Sequence, residues 1–112
     1  MISVCVATFN GEKYIREQLT SILLQLSADE VVVSDDSSTD NTLDIINELQ
    51  DKRIRVLHHQ KEKYRYPFDY TTHNIENAIN HSRGDIIFLA DQDDVWLPDK
   101  VKIIMSYLEQ FD

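Results

Sequence analysis

Ile86-Ile87-Phe88-Leu89-Ala90-Asp91-Gln92-Asp93-Asp94-Val95-Trp96 is the stretch on which the reading of this chain turns. Its five leading apolar residues carry no polar break, which is how a strand buried on both faces reads. The run then meets three carboxylates within four positions, with no glycine between. Aiming that much negative charge off the end of a buried strand is costly unless a positive partner arrives. A hard divalent cation, Mg2+ or Mn2+, takes carboxylate oxygens and meets that need.

The segments around it have the same grammar. Residues 2–8 read as a buried, β-branched strand, and Phe9-Asn10-Gly11 supplies a turn. From about residue 12 to 26, Ile15, Leu19, Ile22, Leu23 and Leu26 fall at helical spacing and predict one apolar stripe. Val31-Val32-Val33 centres a second buried strand over residues 30–34, which stops at Asp35-Asp36. The cap-rich Ser37-Ser38-Thr39-Asp40 opens a helix to about residue 50, with Leu43, Ile46 and Leu49 inward. Residues 54–57 make a short third strand ahead of His58-His59.

Residues 60–70 are basic and aromatic and read as irregular, a length that is uncommon for a loop without a function. Thr71 or Thr72 is placed to cap a helix to about residue 82, with Ile75, Ala78 and Ile79 on its core face and Gly84 at its stop. After the fourth strand, Pro98 marks the first turn of a last helix whose stripe is Val101, Ile104, Met105 and Leu108.

Strand and helix thus alternate four times. Four β-α units predict an α/β fold, an open parallel sheet with helices on both faces and right-handed crossovers. A chain of 112 residues fits one domain, 1–112. In such sheets ligands sit off the carboxyl ends of the strands where the strand order reverses. Thr8 and Asn10 follow the first strand, Asp35 and Asp36 the second, and Asp91, Asp93 and Asp94 the fourth. Three strands therefore deliver polar groups to one edge.

Composition narrows the function. The net charge of −9 argues against nucleic acid and against docking on an anionic membrane. The single cysteine, Cys5, allows no internal disulfide or thiolate zinc site and reads as a core residue in a reducing, cytosolic setting. No basic-then-apolar leader opens the chain, and no apolar run approaches the ~20 residues of a membrane helix. His58, His59, His73 and His81 have no metal-ligand spacing, and Trp96 reads as a packing anchor rather than a stacking platform.

Two glycines are too few for a dinucleotide fingerprint or a phosphate loop. Any phosphate here must be held through a metal or by side chains. Carboxylates near Asp91 suit a divalent cation whose remaining positions are filled by phosphate oxygens, neutralising a diphosphate as it leaves. Asp35 and Asp36 fit either of two roles, cap and turn residue or acceptor for the N–H and O–H groups of a nucleoside. The two roles can coexist, one residue each.

Three blocks of sequence then resemble family 2 glycosyltransferases. They are residues 4–11 with Tyr14-Ile15, Gln18-Leu19 and residues 21–25; residues 32–42; and residues 84–96. The last is similar to the family's D-x-D segment, and its Asp-Gln-Asp-Asp-x-Trp form is similar to a bacterial rhamnosyltransferase-like subgroup. The resemblance implies the GT-A fold, whose Rossmann-like half binds the nucleotide sugar. It implies transfer, with inversion, from a UDP, dTDP or GDP sugar to a glycan or lipid-linked acceptor in bacterial polysaccharide synthesis. The place of action would be cytoplasmic, peripheral at the inner membrane face in a full-length protein.

Position by position, the resemblance puts Thr8, Asn10, Asp35, Asp36, Asn74 and Asp91 at the nucleotide sugar, with Asp36 favoured for the base. Asp91 and Asp93 would hold the metal. A basic residue that often precedes the asparagine is replaced here by His73, with Arg65 a candidate substitute. Family members run to about twice this length or more, so the chain is expected to be a truncated donor-binding half, inactive alone, with the general base outside it. The exposed edge of such a half predicts self-association. The alternative is a non-catalytic nucleotide-binding or assembly module. A signalling receiver would want its acidic pair early and a fifth strand, and a nucleotidyltransferase a glycine-rich basic loop at the start; neither is present.

Overall fold

The computed structural model describes residues 1–59, 66–90 and 95–110, with backbone only at Pro67 and Phe68. Strands and helices alternate as β1 (Ile2–Thr8), α1 (Ile15–Leu23), β2 (Glu30–Asp35), α2 (Thr42–Glu48), β3 (Ile54–His58), α3 (Pro67–His81), β4 (Ile86–Ala90) and α4 (Lys100–Glu109). The strands form one parallel sheet in the order β3-β2-β1-β4. The chain steps from β1 outward to β3, then returns to the other side of β1. The strand order therefore reverses between β1 and β4, and the crevice of an open sheet opens at that point.

The valine run explains the two layers. Val31 and Val33 point to one face, where they join Val4, Val6, Ile15, Leu19, Ile22, Ile46, Trp96 and Val101. Val32 points to the other and packs with Cys5 and Ala78, flanked by Leu57, Ile75 and Ile79. Thus α1, α2 and α4 serve one face and α3 serves the other, giving the α/β fold with helices on both faces. Burial pushes the Cys5 thiol above its ordinary range, as expected for a core residue.

The structure corrects several boundaries. Helix α1 is shorter than residues 12–26, and Leu26 is 91% exposed. Arg53 ends it: the guanidinium donates to the carbonyls of Leu23, Gln25 and Ala28 while Asp51 holds it from behind. Helix α3 begins at Pro67, inside the segment read as irregular, rather than at Thr71 or Thr72. Proline presets the first helical turn, and Tyr66 before it is extended, as a residue preceding proline must be.

Strand β4 is not buried on both faces. Ile87 is 39% and Leu89 53% exposed, because β4 is a sheet edge and α3 crosses β1 and β2 instead. On α4, Val101 is buried, whereas Ile104 is 36% and Leu108 44% exposed. Gly84 is near the end of α3, but not as a left-handed cap, since no glycine has positive φ. A Cβ there would stand 2.4 Å from the Ser3 hydroxyl, to which the Gly84 N–H donates.

Candidate functional site

The carboxyl ends of β1 and β2 are bound to each other through backbone and side chain. The Asp36 N–H donates to the Thr8 carbonyl at 3.0 Å, and so does the Asn74 amide from α3 at 3.2 Å. Asn74 in turn accepts from the Ser34 hydroxyl at 2.7 Å, and Asn77 donates to that same hydroxyl oxygen. Buried Asn74 is thus a brace beneath the strand ends. The Thr8 hydroxyl is buried beside it with no hydrogen-bond partner among the described residues.

The loops after β1 and β2 also clasp one another. Asn10 takes a left-handed conformation (φ 49°), and its side-chain carbonyl oxygen accepts from the Thr39 N–H at 2.8 Å. Its backbone N–H donates to the Ser38 hydroxyl at 2.9 Å, and the Gly11 N–H donates to the Thr42 hydroxyl at 2.8 Å. A side chain on Gly11 would collide with the Tyr14 ring at 2.7 Å. Asp40 joins in, accepting from the Thr42 N–H and hydroxyl and from the Glu12 N–H. Burial alone would push the Asp40 carboxyl up, but these donors together outweigh it and hold it below the ordinary range.

The adjacent aspartates part company. Asp35 is consumed locally: one oxygen accepts from the Ser38 hydroxyl at 2.6 Å, the other from the Ser38 N–H at 3.0 Å. It is the turn residue. Asp36 is also deeply buried, at 3% exposure, yet its side chain meets a single described partner, His59 Nδ1, 3.1 Å from Oδ1. Spacing alone does not single out His59 as a site residue. Its signal is positional, since it follows β3 on the edge where the other strands place their polar groups.

The fourth strand's contribution begins at Ala90. Asp91, Asp93 and Asp94, and the candidate base contact Arg65, lie outside the described residues. Among the described residues no group of three His, Cys, Asp or Glu side chains is placed to hold a metal. The segment after the aspartates is firmly seated. The Trp96 N–H donates to the Ser21 hydroxyl at 2.9 Å, and the Gln25 amide donates to the Leu97 carbonyl at 2.9 Å. The Trp96 ring is buried against Phe88, with Lys100 Nζ 4.3 Å from its centroid, so it is the expected packing anchor. His73 lies exposed on α3, 3.6 Å from Glu76.

The ends of β1, β2 and β3 thus bring Thr8, Asp36 and His59 together at one edge of the sheet. The sequence description of Glycosyl transferase family 2 matches residues 3–112. This chain belongs to glycosyl transferase family 2. Among relatives of the family 2 chain, the dTDP-rhamnosyl transferase RfbG of Shigella flexneri is 35% identical over 99 residues, covering 87% of this chain and 34% of RfbG. An Escherichia coli protein, the UDP-Glc:alpha-D-GlcNAc-diphosphoundecaprenol beta-1,3-glucosyltransferase WfgD, is 29% identical over 96% of this chain and 41% of its own length.

Solved structures superpose well on the family 2 chain. Residues 1–349 of S. aureus TarS in complex with UDP match with a TM-score of 0.81 at 28% identity, over 97% of this chain and 32% of that one. The mannosyltransferase PcManGT of Pyrobaculum calidifontis, in complex with GDP-Man and Mn2+, matches with a TM-score of 0.79 at 26% identity, over 96% and 32%. The fold is GT-A. The chain spans about a third of the length of the first of these relatives.

Proposed function

We propose that this chain is the donor-binding part of an inverting glycosyltransferase and takes a nucleoside diphosphate sugar. One observation carries the reading. Asp36 is a buried carboxylate with one described partner, at the end of β2, one strand away from where the order of the parallel sheet reverses. A carboxylate in that state has unmet acceptor capacity, and the N–H of a uracil, thymine or guanine base fits it. Thr8, Asn10, Asp35, Asn74 and Asp91 complete the proposed lining.

For the diphosphate the reading assigns Mg2+ or Mn2+ to Asp91 and Asp93, whose carboxylate oxygens suit a hard cation. The bound cation supplies charge neutralisation at the leaving diphosphate. The Mn2+ and GDP-Man in the PcManGT structure, and the UDP in that of TarS, support this assignment. The names of RfbG and WfgD support a rhamnose or glucose donor and a glycan or diphosphoundecaprenol-linked acceptor in bacterial polysaccharide synthesis. Such an acceptor puts the work at the cytoplasmic face of a membrane. No helix among the described residues is long and apolar enough to cross one. The general base is proposed to lie in sequence beyond this chain.

Isothermal titration of the chain with UDP, dTDP and GDP, each with and without Mn2+, tests the reading. Metal-dependent heat from any of them supports it, and none from all three overturns it. A second reading, an assembly module, is favoured by the open apolar edge of β4, where Ile87 and Leu89 face solvent. A strictly monomeric sedimentation profile at high concentration removes that one.

A further inference from the structure

His59 is held in place twice before its ring is considered. Its N–H donates to the Asp35 carbonyl at 2.7 Å, extending the β2–β3 ladder one residue past β3, and its carbonyl accepts from the Ser37 hydroxyl at 3.2 Å. Ser37 has a left-handed φ of 60°, which turns its side chain back to make that bond. With the backbone fixed on both sides, the imidazole stands over Asp36. The His59 side chain is 18% exposed and screens an Asp36 side chain that is 5% exposed.

The contact has a direction. An ionised carboxylate only accepts, so the 3.1 Å bond requires the proton on Nδ1. One oxygen of Asp36 is thereby occupied and the plane of the carboxylate is set. Its Oδ2 is left without a described partner. Asp35 cannot substitute, because both its oxygens are taken by Ser38.

We infer that His59 is a positioning residue of the nucleoside site, fixing Asp36 through Oδ1 so that Oδ2 is aimed at the base. The inference rests on the donor-binding reading given above. It assigns His59 no contact with the sugar or the diphosphate, so its effect is on base recognition alone. Without the imidazole, Asp36 regains rotation about its side-chain bonds and its second oxygen becomes available to water. The ordering cost of the carboxylate then falls on ligand binding. A donor of similar reach restores the effect: the amide nitrogen of asparagine stands near the place of Nδ1.

The test is calorimetry on the 112-residue chain with Mn2+, using whichever of UDP, dTDP and GDP binds tightest and the analogue of that nucleotide methylated at its ring N–H. Wild type is expected to prefer the unmethylated nucleotide. H59A should weaken that nucleotide about tenfold while leaving the methylated analogue unchanged, so the preference collapses, and H59N should recover it to within about threefold. Equal losses for both ligands in H59A, or no loss for either, overturn the inference. If H59A does not fold, H59L (donor removed, volume kept) against H59N makes the same comparison. Failure of the donor reading looks different: wild type itself would bind none of the three nucleotides, or would not distinguish the methylated one.

Discussion

The Val101 N–H, in the first turn of α4, donates to Oε1 of Gln25, just past the end of α1, at 3.1 Å. Helix α4 opens on Asp99 in a left-handed conformation (φ 65°) without a side-chain cap of its own. Its orphan donor is therefore satisfied by a residue distant in sequence, which also holds the Leu97 carbonyl. Gln25 and Ser21 together pin the segment after the aspartates.

Replacing Gln25 with leucine keeps the volume and removes these bonds together with the one its amide donates to the Ser21 carbonyl. Gln25→Leu is expected to lose about 1–3 kcal/mol in urea unfolding, the range for buried backbone groups left unpaired. The Mn2+-dependent share of nucleotide binding should fall with it, since the tether of the aspartate segment is slackened. Unchanged stability in Q25L would show that the remote cap contributes nothing.

The division of labour between the paired aspartates predicts opposite phenotypes. Asp36→Ala should lose nucleotide binding by at least about tenfold while costing less stability than Asp35→Ala, because it strands a single, partly exposed donor, the His59 Nδ1–H. Asp35→Ala should lower stability by about 1–2 kcal/mol, having freed the Ser38 N–H and hydroxyl. Thermal melts and titrations on the same two variants check both halves. A D36A protein that binds as wild type contradicts the proposed site.

Asp91→Asn and Asp93→Asn address the cation. Each is expected to abolish the difference in nucleotide affinity with and without Mn2+, while the melting temperature without metal stays the same or rises, since clustered negative charge is reduced. Retained metal dependence in both variants would move the cation elsewhere.

Acid should loosen the clasp between the first two loops. Hydrogen bonds from Thr42 and Glu12 overcome burial to hold the Asp40 carboxyl below its ordinary 3.8, and Asp51 is held below 3.8 chiefly by the Arg53 side chain. A carboxyl depressed on folding adds stability that is complete above the unfolded-state value and drains as pH falls through the folded one. Asp40→Asn should therefore melt below wild type at about pH 7, and the gap should narrow towards about pH 3. A gap independent of pH would mean the charge is not what the donors stabilise.

Much of this is legible in the letters alone, and the exceptions have physical causes. Val31-Val32-Val33 reads as a strand buried on both faces, and all three are fully buried. The same reasoning fails for Ile87 and Leu89, because hydrophobic runs do not say whether a strand is central or at an edge. Leu26 keeps the helical spacing yet lies outside α1, since the stop comes from Arg53, a residue distant in sequence. The start of α3 is legible at Pro67, although the threonines after it look like the better caps. At the site, the edge carrying Thr8, Asn10 and Asp36 follows from strand order. Which of two neighbouring aspartates stays open depends on Ser38 and His59, whose orientations are set by tertiary contacts that no spacing encodes.

Because Asp35, Asn10 and Asn74 carry the joinery at the strand ends, the fold asks little of Asp36 itself. A position relieved of architectural duty is a socket. Exchanging its occupant together with His59 offers a route to a chain that favours a different nucleobase, with the surrounding frame left standing.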